Sequence, residues 1–100
     1  MRFKTQKEMF LWIWENRPHV SELTGKPLLH IGNYRWHWQF IHVLSKGSYP
    51  GYKFESDNIL LGLPNEHENQ ERYDVFKKKQ IELKRRYTDE HKIKRFDSKN

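Results

Sequence analysis

The sequence predicts an α+β fold, in which a short two-stranded unit stands between an N-terminal helix and a long C-terminal helix. Three patterns indicate this: an apolar run behind a helix-capping signal, alternating side chains in the middle of the chain, and a long charged segment that contains no proline. The order strand, loop, strand, helix occupies about residues 36–75. One hundred residues form a single domain, placed at 1–88, and the polar residues 89–100 are expected to form a basic, flexible tail.

The first helix is predicted at residues 6–16, because Thr5 and Glu8 have the spacing of a capping box. Apolar side chains fall on every side of this segment, which favours a largely covered helix, and Pro18 ends it. Residues 20–29 contain a Thr-Gly pair between short apolar stretches. Such a pattern is typical of a strand, a turn and a second strand or loop.

Apolar and polar side chains alternate over residues 34–43, where Trp36, Trp38 and Phe40 recur at every second position. This period of two predicts a strand. After a loop rich in Gly and Pro, residues 59–61 are expected to form the second strand.

The third predicted element is a long helix over residues 66–87. Asn65 is a suitable N-cap for it, since a short polar side chain can accept a hydrogen bond from the first helical turn. Only a few apolar residues are available to anchor this helix, and the rest of the segment is heavily charged.

Charge favours a nucleic-acid partner. The chain has 19 Lys and Arg against 13 Asp and Glu, a formal net charge of +6 and a pI near 9.6. Cationic side chains of this kind displace counterions condensed on phosphates, although a soluble basic protein would show the same balance. There is no Cys, so any metal must be held by His, Asp, Glu, Asn or water. No apolar run approaches the roughly 20 residues needed to cross a bilayer, and no signal peptide is recognisable; a cytoplasmic protein is expected.

Three polar residues stand at an informative spacing: His42, Asn58 sixteen residues later, and His67 after nine more. Together with their flanking residues they resemble the HNH endonucleases of the His-Me finger superfamily, over roughly residues 18–70. The resemblance is carried by SELTGKPL at 21–28, FIHVLSKGSYP at 40–50, DNILL at 57–61 and NEHEN at 65–69. It implies a ββα-metal finger and a metal-dependent DNA endonuclease or nickase of the small, stand-alone kind that phages and mobile elements carry.

The resemblance also implies roles for individual residues. His42 would act as general base toward the attacking water, and His67 would coordinate a divalent ion, either Mg²⁺, Mn²⁺, Zn²⁺ or Ni²⁺. Asn58 would either fix the base and its loop by hydrogen bonds or bind the metal. Many relatives carry a metal ligand directly before the base, where this chain has Ile41. Glu71, four residues after His67 on the predicted helix, is a candidate to replace it.

Other charged and polar residues near the motif also bear on the predicted site. Lys46 would contact a phosphate next to the cut, or be a solvated loop lysine. In a regular strand His37 would face away from His42, which argues against a role as a ligand. Ser21 stands where relatives with a structural zinc ribbon carry Cys, so packing, by Trp36, Trp38 and Phe40, is expected to hold the hairpin. The last helix has a basic surface made of Lys77, Lys78, Lys79, Lys84, Arg85 and Arg86, which Lys92, Lys94 and Arg95 would extend. This surface would run along a DNA backbone, or simply be solvated.

Two further functions are compatible with the same residues. A non-catalytic module on an HNH scaffold would bind nucleic acid, or a host or replication protein, and the missing ligand at Ile41 motivates this hypothesis. A purely structural, zinc-finger-like module is the third. A protein partner that supplies targeting is compatible with the first two.

Overall fold

The computed structural model describes residues 1–98, and the side chains of residues 1–90. Helix α1 (Gln6–Asn16) begins after Thr5, whose hydroxyl accepts a hydrogen bond from the Glu8 backbone N–H at 3.2 Å. The predicted start and end of this helix are therefore confirmed. Residues 21–26 form the predicted turn, in which Gly25 has a φ of 78° that favours glycine. The expected strands around this turn are reduced to one isolated bridge between Val20 and Pro27.

The sheet consists of two antiparallel strands, β1 (Phe40–His42) and β2 (Ile59–Leu61). Ile41 pairs with Leu60, and His42 pairs with Ile59. The chain then continues into the short helix α2 (Pro64–Glu68) and the long helix α3 (Asp74–Ser98). The predicted α+β class and the second strand are confirmed.

Both faces of the sheet are buried, because each is covered by a different helix. Phe40, Ile59 and Leu61 pack with α1 residues in one cluster, which also contains Leu28. Ile41 and Leu60 point to the other face, where they pack in a second cluster with Phe76 and Leu83 of α3. Side chains alternate across a strand, so His42 lies on the same face as Phe40, at the edge next to α1. Its ring is 6.3 Å from that of Phe10.

The predicted strand over 34–43 is wrong for most of its length. Residues Trp36–Gln39 form a 3-10 turn, and only Phe40–His42 is strand. The Asn33 side chain accepts a hydrogen bond from the Arg35 backbone N–H, and this local bond competes with extended structure. The buried Gln39 side chain then holds the turn by bonding to both backbone groups of Leu29.

The predicted helix over 66–87 is also corrected, since it is two helices with a break between them. The first begins after Leu63 rather than after Asn65. It ends at Glu68, and the next residue, Asn69, donates a side-chain hydrogen bond to the Asn65 carbonyl. A 3-10 turn (Gln70–Arg72) follows before α3. Helix α3 continues to Ser98, beyond the expected end. Flexibility of the tail 89–100 stays a prediction, since the side chains from residue 91 onward lie outside the described residues.

Hydrogen bonds to Glu66 attach the turn 21–26 to α2. Its carboxylate, 1% exposed, accepts from the hydroxyls of Ser21 and Thr24 and from the Leu63 backbone N–H. Packing by Trp36, Trp38 and Phe40 was expected to hold this region. Phe40 and Trp36 do pack in the cluster that contains Leu28, whereas Trp38 is half exposed. The buried carboxylate of Glu66 adds a polar link between the turn and the helix.

Candidate functional site

His42 and His67 line one surface groove of about 390 Å³. Its walls come from the start of α1, the 3-10 turn before β1, the loop after β1, and α2 with the turn that follows it. Among the described residues that line it there is no Asp or Glu, whereas three His and one Lys are present: His37, His42, His67 and Lys46. Because Lys46 is the only charged residue among the described residues that line it, the charge of the groove suits an anion such as a phosphate.

His42 is held by its ring Nε2, which is 3.1 Å from the Lys53 carbonyl oxygen. A carbonyl only accepts, so Nε2 carries the hydrogen and Nδ1 retains the lone pair. Burial lowers the pKa of His42, and the charge of Lys46 and the interaction with His67 act in the same direction; together they outweigh the bond to Lys53. A neutral ring with a lone pair is the form that accepts a proton.

His67 lies on α2 with its Nδ1 2.8 Å from the Trp38 carbonyl oxygen. A carbonyl only accepts, so Nδ1 carries a hydrogen, and in the neutral ring the lone pair is on Nε2. In metal-binding histidines the ring N–H that faces away from the metal almost always donates a hydrogen bond of this kind, because the bond fixes the ring and its tautomer. The bond also joins α2 to the 3-10 turn before β1.

Asn58 is completely buried, and its amide faces the loop between the strands rather than the groove. Its Oδ1 accepts from the Leu44 backbone N–H at 2.8 Å, while Nδ2 donates to the carbonyls of Leu44 and Tyr52 at 3.0 and 3.3 Å. Of the two roles that the resemblance allows, this geometry corresponds to holding the loop. To bind a metal, the amide would have to give up these bonds.

Ile41 is a core residue. Its side chain is fully buried on the α3 face of the sheet, opposite to His42, and a methyl group added to Gly62 would lie 2.9 Å from its terminal carbon. A ligand at this position would point into the apolar core. The side chain of Ile41 fills a place in the core, so its presence does not leave an empty metal-ligand position beside His42.

His37 lines the groove, although a regular strand would turn it away from His42. The difference arises because Trp36–Gln39 is a 3-10 turn, in which the period of two does not apply. The Asn33 turn signal in front of this segment could have indicated the change.

Glu71 does not share a helix with His67, since α2 ends at Glu68. It lies in the turn Gln70–Arg72 and lines a neighbouring cavity of about 450 Å³, which also contacts His67 but not His42. The prediction that His67 and Glu71 lie four residues apart on one helix is therefore wrong. Both side chains nevertheless line the same cavity.

The predicted DNA-contacting residues divide into three groups. Lys46 lies at the groove, with its Nζ 2.7 Å from the Gln6 side-chain oxygen. Arg86 binds the Tyr52 hydroxyl and the Asp57 carboxylate, contacts Glu55 and lies over the Tyr52 ring, so it attaches α3 to the core. Of the others on α3, Lys79 is half-buried and pairs with Glu82, and four are exposed: Lys77, Lys78, Lys84 and Arg85.

The donors at the groove fit a metal ion only in part. In the described part of the chain, no three His, Asp or Glu side chains form a group that could hold one. His67 Nε2 is a suitable single ligand, and it fits an ion that keeps most of its waters and completes its shell with a substrate phosphate.

Comparison with models of protein families, with curated proteins and with solved structures finds no match to this chain. None of the helices in the described residues is both long and apolar enough to span a membrane.

Proposed function

We propose that this chain is a metal-dependent DNA endonuclease or nickase, built on a ββα-metal finger made of β1, β2 and α2. The observation that supports it best is that His42 and His67 line one groove, together with Lys46 and without an acidic side chain among its described lining residues. One ring N–H of each donates a hydrogen bond to a backbone carbonyl, and the neutral ring retains a lone pair on its other nitrogen.

In the proposed reaction, His42 Nδ1 takes a proton from the water that attacks the phosphorus atom. The Lys53 carbonyl sets the tautomer and the orientation of the ring. The lowered pKa of His42 keeps this base neutral near pH 7. Lys46 attracts the phosphate into the groove, and Asn58 acts indirectly, by holding the loop that carries Lys53 and Lys46.

The resident ion would be held by His67 Nε2, with water and the DNA phosphate as further ligands, and would supply positive charge at the phosphate. Mg²⁺, Mn²⁺, Zn²⁺ and Ni²⁺ remain the candidates, and a His ligand favours the last three. Glu71 could bind the ion only from the neighbouring cavity, and Asn58 could bind it only by giving up its hydrogen bonds to the loop.

DNA is the proposed partner because the chain carries a net charge of +6 and presents exposed cations on α3. Contacts of this kind bind phosphates without reading sequence, so weak sequence preference is expected, and a protein partner would supply targeting. We propose a cytoplasmic location for such an enzyme.

The lack of acidic residues among those that line the groove favours a second candidate, a non-catalytic binding module on the same scaffold. Such a protein would use the groove and α3 to bind nucleic acid, or a host protein, without cutting.

Plasmid nicking separates the two candidates. Supercoiled DNA is incubated with the wild type and with His42→Ala, in Mg²⁺, Mn²⁺, Zn²⁺ or Ni²⁺. We expect nicking by the wild type with at least one ion, and a loss of about 10²–10⁴-fold in His42→Ala, which is typical when a general base is removed. His67→Ala should raise the ion concentration needed for half-maximal nicking.

His30→Ala is the matched control, because His30 is exposed and does not line the groove. Nicking that is unchanged in His42→Ala would contradict the assignment of the base. If the wild type binds DNA tightly and cuts with none of the ions, the binding module is supported instead.

A further inference from the structure

Two large aromatic side chains are exposed directly beside the groove. Tyr34 is 78% exposed and Trp38 is 47% exposed. Their rings meet edge to face, with centroids 6.2 Å apart and an interplanar angle of 79°. We call Tyr34 and Trp38 the aromatic platform.

The platform is continuous with the candidate site. Trp38 lines the groove that contains His42 and His67, and also an adjoining cavity of about 350 Å³ with Pro64 and Glu68. The Trp38 carbonyl is the group that orients His67. A molecule on the Trp38 ring would therefore lie next to the imidazoles.

Two cations are available near these rings. The Arg35 guanidinium lies 5.7 Å from the centre of the Tyr34 ring, and Lys46 lines the same groove as Trp38. Exposed aromatic faces flanked by cations are the combination that binds single-stranded nucleic acid, because bases stack on the rings and phosphates pair with the charges. A purely apolar partner would not make use of the cations.

We propose that the aromatic platform stacks an unpaired nucleobase adjacent to the phosphate in the groove, so that the preferred substrate is single-stranded or locally unpaired DNA. In a duplex, both faces of each base are already covered by its neighbours. Only an unpaired base offers a free face to Trp38. This inference rests on the proposed function for the position of the phosphate, and it deepens that function by naming the class of substrate.

Binding is measured with excess EDTA, so that no cutting occurs, by titrating fluorescein-labelled DNA. Three probes are compared: a thymidine oligonucleotide, the same strand with abasic sites at its centre, and a fully paired duplex of equal length. We expect Trp38→Ala to weaken binding to the thymidine strand by roughly tenfold to a hundredfold, the usual effect of losing one stacked base. Binding of the abasic strand and of the duplex should change by less than about threefold.

Trp38→Ala leaves the backbone carbonyl that holds His67 in place, so the variant removes only the ring. Trp38→Phe, which keeps a stacking face, should restore most of the affinity. Ile31→Ala is the matched control, since Ile31 is an apolar residue that is 52% exposed and does not line the groove. Thermal denaturation of each variant checks that the fold is intact.

Equal losses on the thymidine and abasic strands would overturn the proposal, as would thymidine binding that Trp38→Ala leaves unchanged. The two proposals fail in different experiments. If the wild type cuts no DNA with any ion but its binding depends on Trp38 and on the presence of bases, the nuclease function fails and the platform stands. If it nicks plasmid through His42 while Trp38→Ala has no effect on binding, the reverse holds.

Discussion

At the scale of single residues, the buried amide of Asn58 determines the shape of the loop that carries the candidate site. Three hydrogen bonds link it to Leu44 and Tyr52, and no solvent reaches it. An amide can donate and accept at the same time, which a carboxylate cannot do. Asn58 is therefore suited to hold two carbonyls and one N–H together.

Replacement of Asn58 by Asp should distinguish a loop-holding residue from a metal ligand. Asp keeps an oxygen that could bind metal, but it places a carboxylate against two carbonyls and loses both donated bonds. We expect Asn58→Asp and Asn58→Ala each to lower the free energy of unfolding by about 3 kcal/mol, measured by urea denaturation. The exposed Asn65→Ala should change it by less than about 0.5 kcal/mol. A stable Asn58→Asp protein that binds metal more tightly would contradict this assignment.

His42 should titrate below the usual histidine pKa of 6.5, because burial and the charge of Lys46 disfavour the protonated ring. The folded protein then binds fewer protons at this site than the unfolded chain. The free energy of unfolding should fall as pH is lowered from 6.5 through the folded pKa, and nicking should lose activity over the same acidic range. NMR titration of the ring, with Lys46→Ala as a comparison that should raise the pKa, measures this directly. A pKa of 6.5 or above would show that burial does not dominate.

At the scale of elements, helix α2 is too short to be stable by itself, and tertiary contacts hold it in place. Glu66 joins it to the turn 21–26, and His67 joins it to the turn before β1. The hydroxyls of Ser21 and Thr24 and the Leu63 N–H lower the pKa of Glu66, although burial alone would raise it. Since His67 and Glu66 are adjacent, the position of the candidate ligand depends on this carboxylate.

Glu66→Gln should therefore weaken both the fold and the site. An amide keeps the shape but loses the charge that strengthens its bonds to the hydroxyls, and we expect a loss of about 1.5–3 kcal/mol in the free energy of unfolding. Glu68→Gln, on the exposed side of the same helix, is the control. In the wild type, the contribution of Glu66 is present above the unfolded pKa of about 4.5 and is lost as pH falls through the lower, folded value. Equal denaturation curves for the two variants would refute this account.

At the scale of the whole molecule, the two-stranded sheet is enclosed by α1 on one face and α3 on the other. Arg86 attaches α3 to the loop between the strands, which leaves Lys77, Lys78, Lys84 and Arg85 exposed. Residues seven apart share a helix face, so these four form two adjacent rows. Lys92, Lys94 and Arg95 would extend them, but their side chains lie outside the described residues.

Salt dependence tests whether this exposed surface contacts DNA. If Lys77 and Lys84 each neutralise one phosphate, the double variant Lys77→Ala/Lys84→Ala should reduce the slope of log binding constant against log salt by about 2. Affinity should fall to a similar extent for DNA of any sequence. Lys79→Ala is the matched control, because Lys79 is half-buried and pairs with Glu82 at 3.8 Å. An unchanged slope would mean that this part of α3 is merely solvated.

Local signals in the sequence predicted several features correctly. Thr5 and Glu8 defined the start of α1, the apolar run at 59–61 defined β2, and Gly25 marked a turn that needs a positive φ. These features depend on interactions between residues close in the chain, or on the conformational freedom of one residue, so their signals are present in the sequence itself.

Tertiary structure decided the rest. The alternation before Phe40 looked like a strand, but the bonds of Gln39 to Leu29 and of Asn33 to Arg35 curl the chain and bring His37 into the groove. Burial between two helices made Ile41 a core residue, which spacing in sequence could not indicate. The sequence alone determined which imidazoles and cations this protein possesses and where its local turns lie. Which of them share a groove, and which ring nitrogen retains a lone pair, was decided by contacts between residues far apart in the chain, because a side chain's environment exists only once the chain is folded.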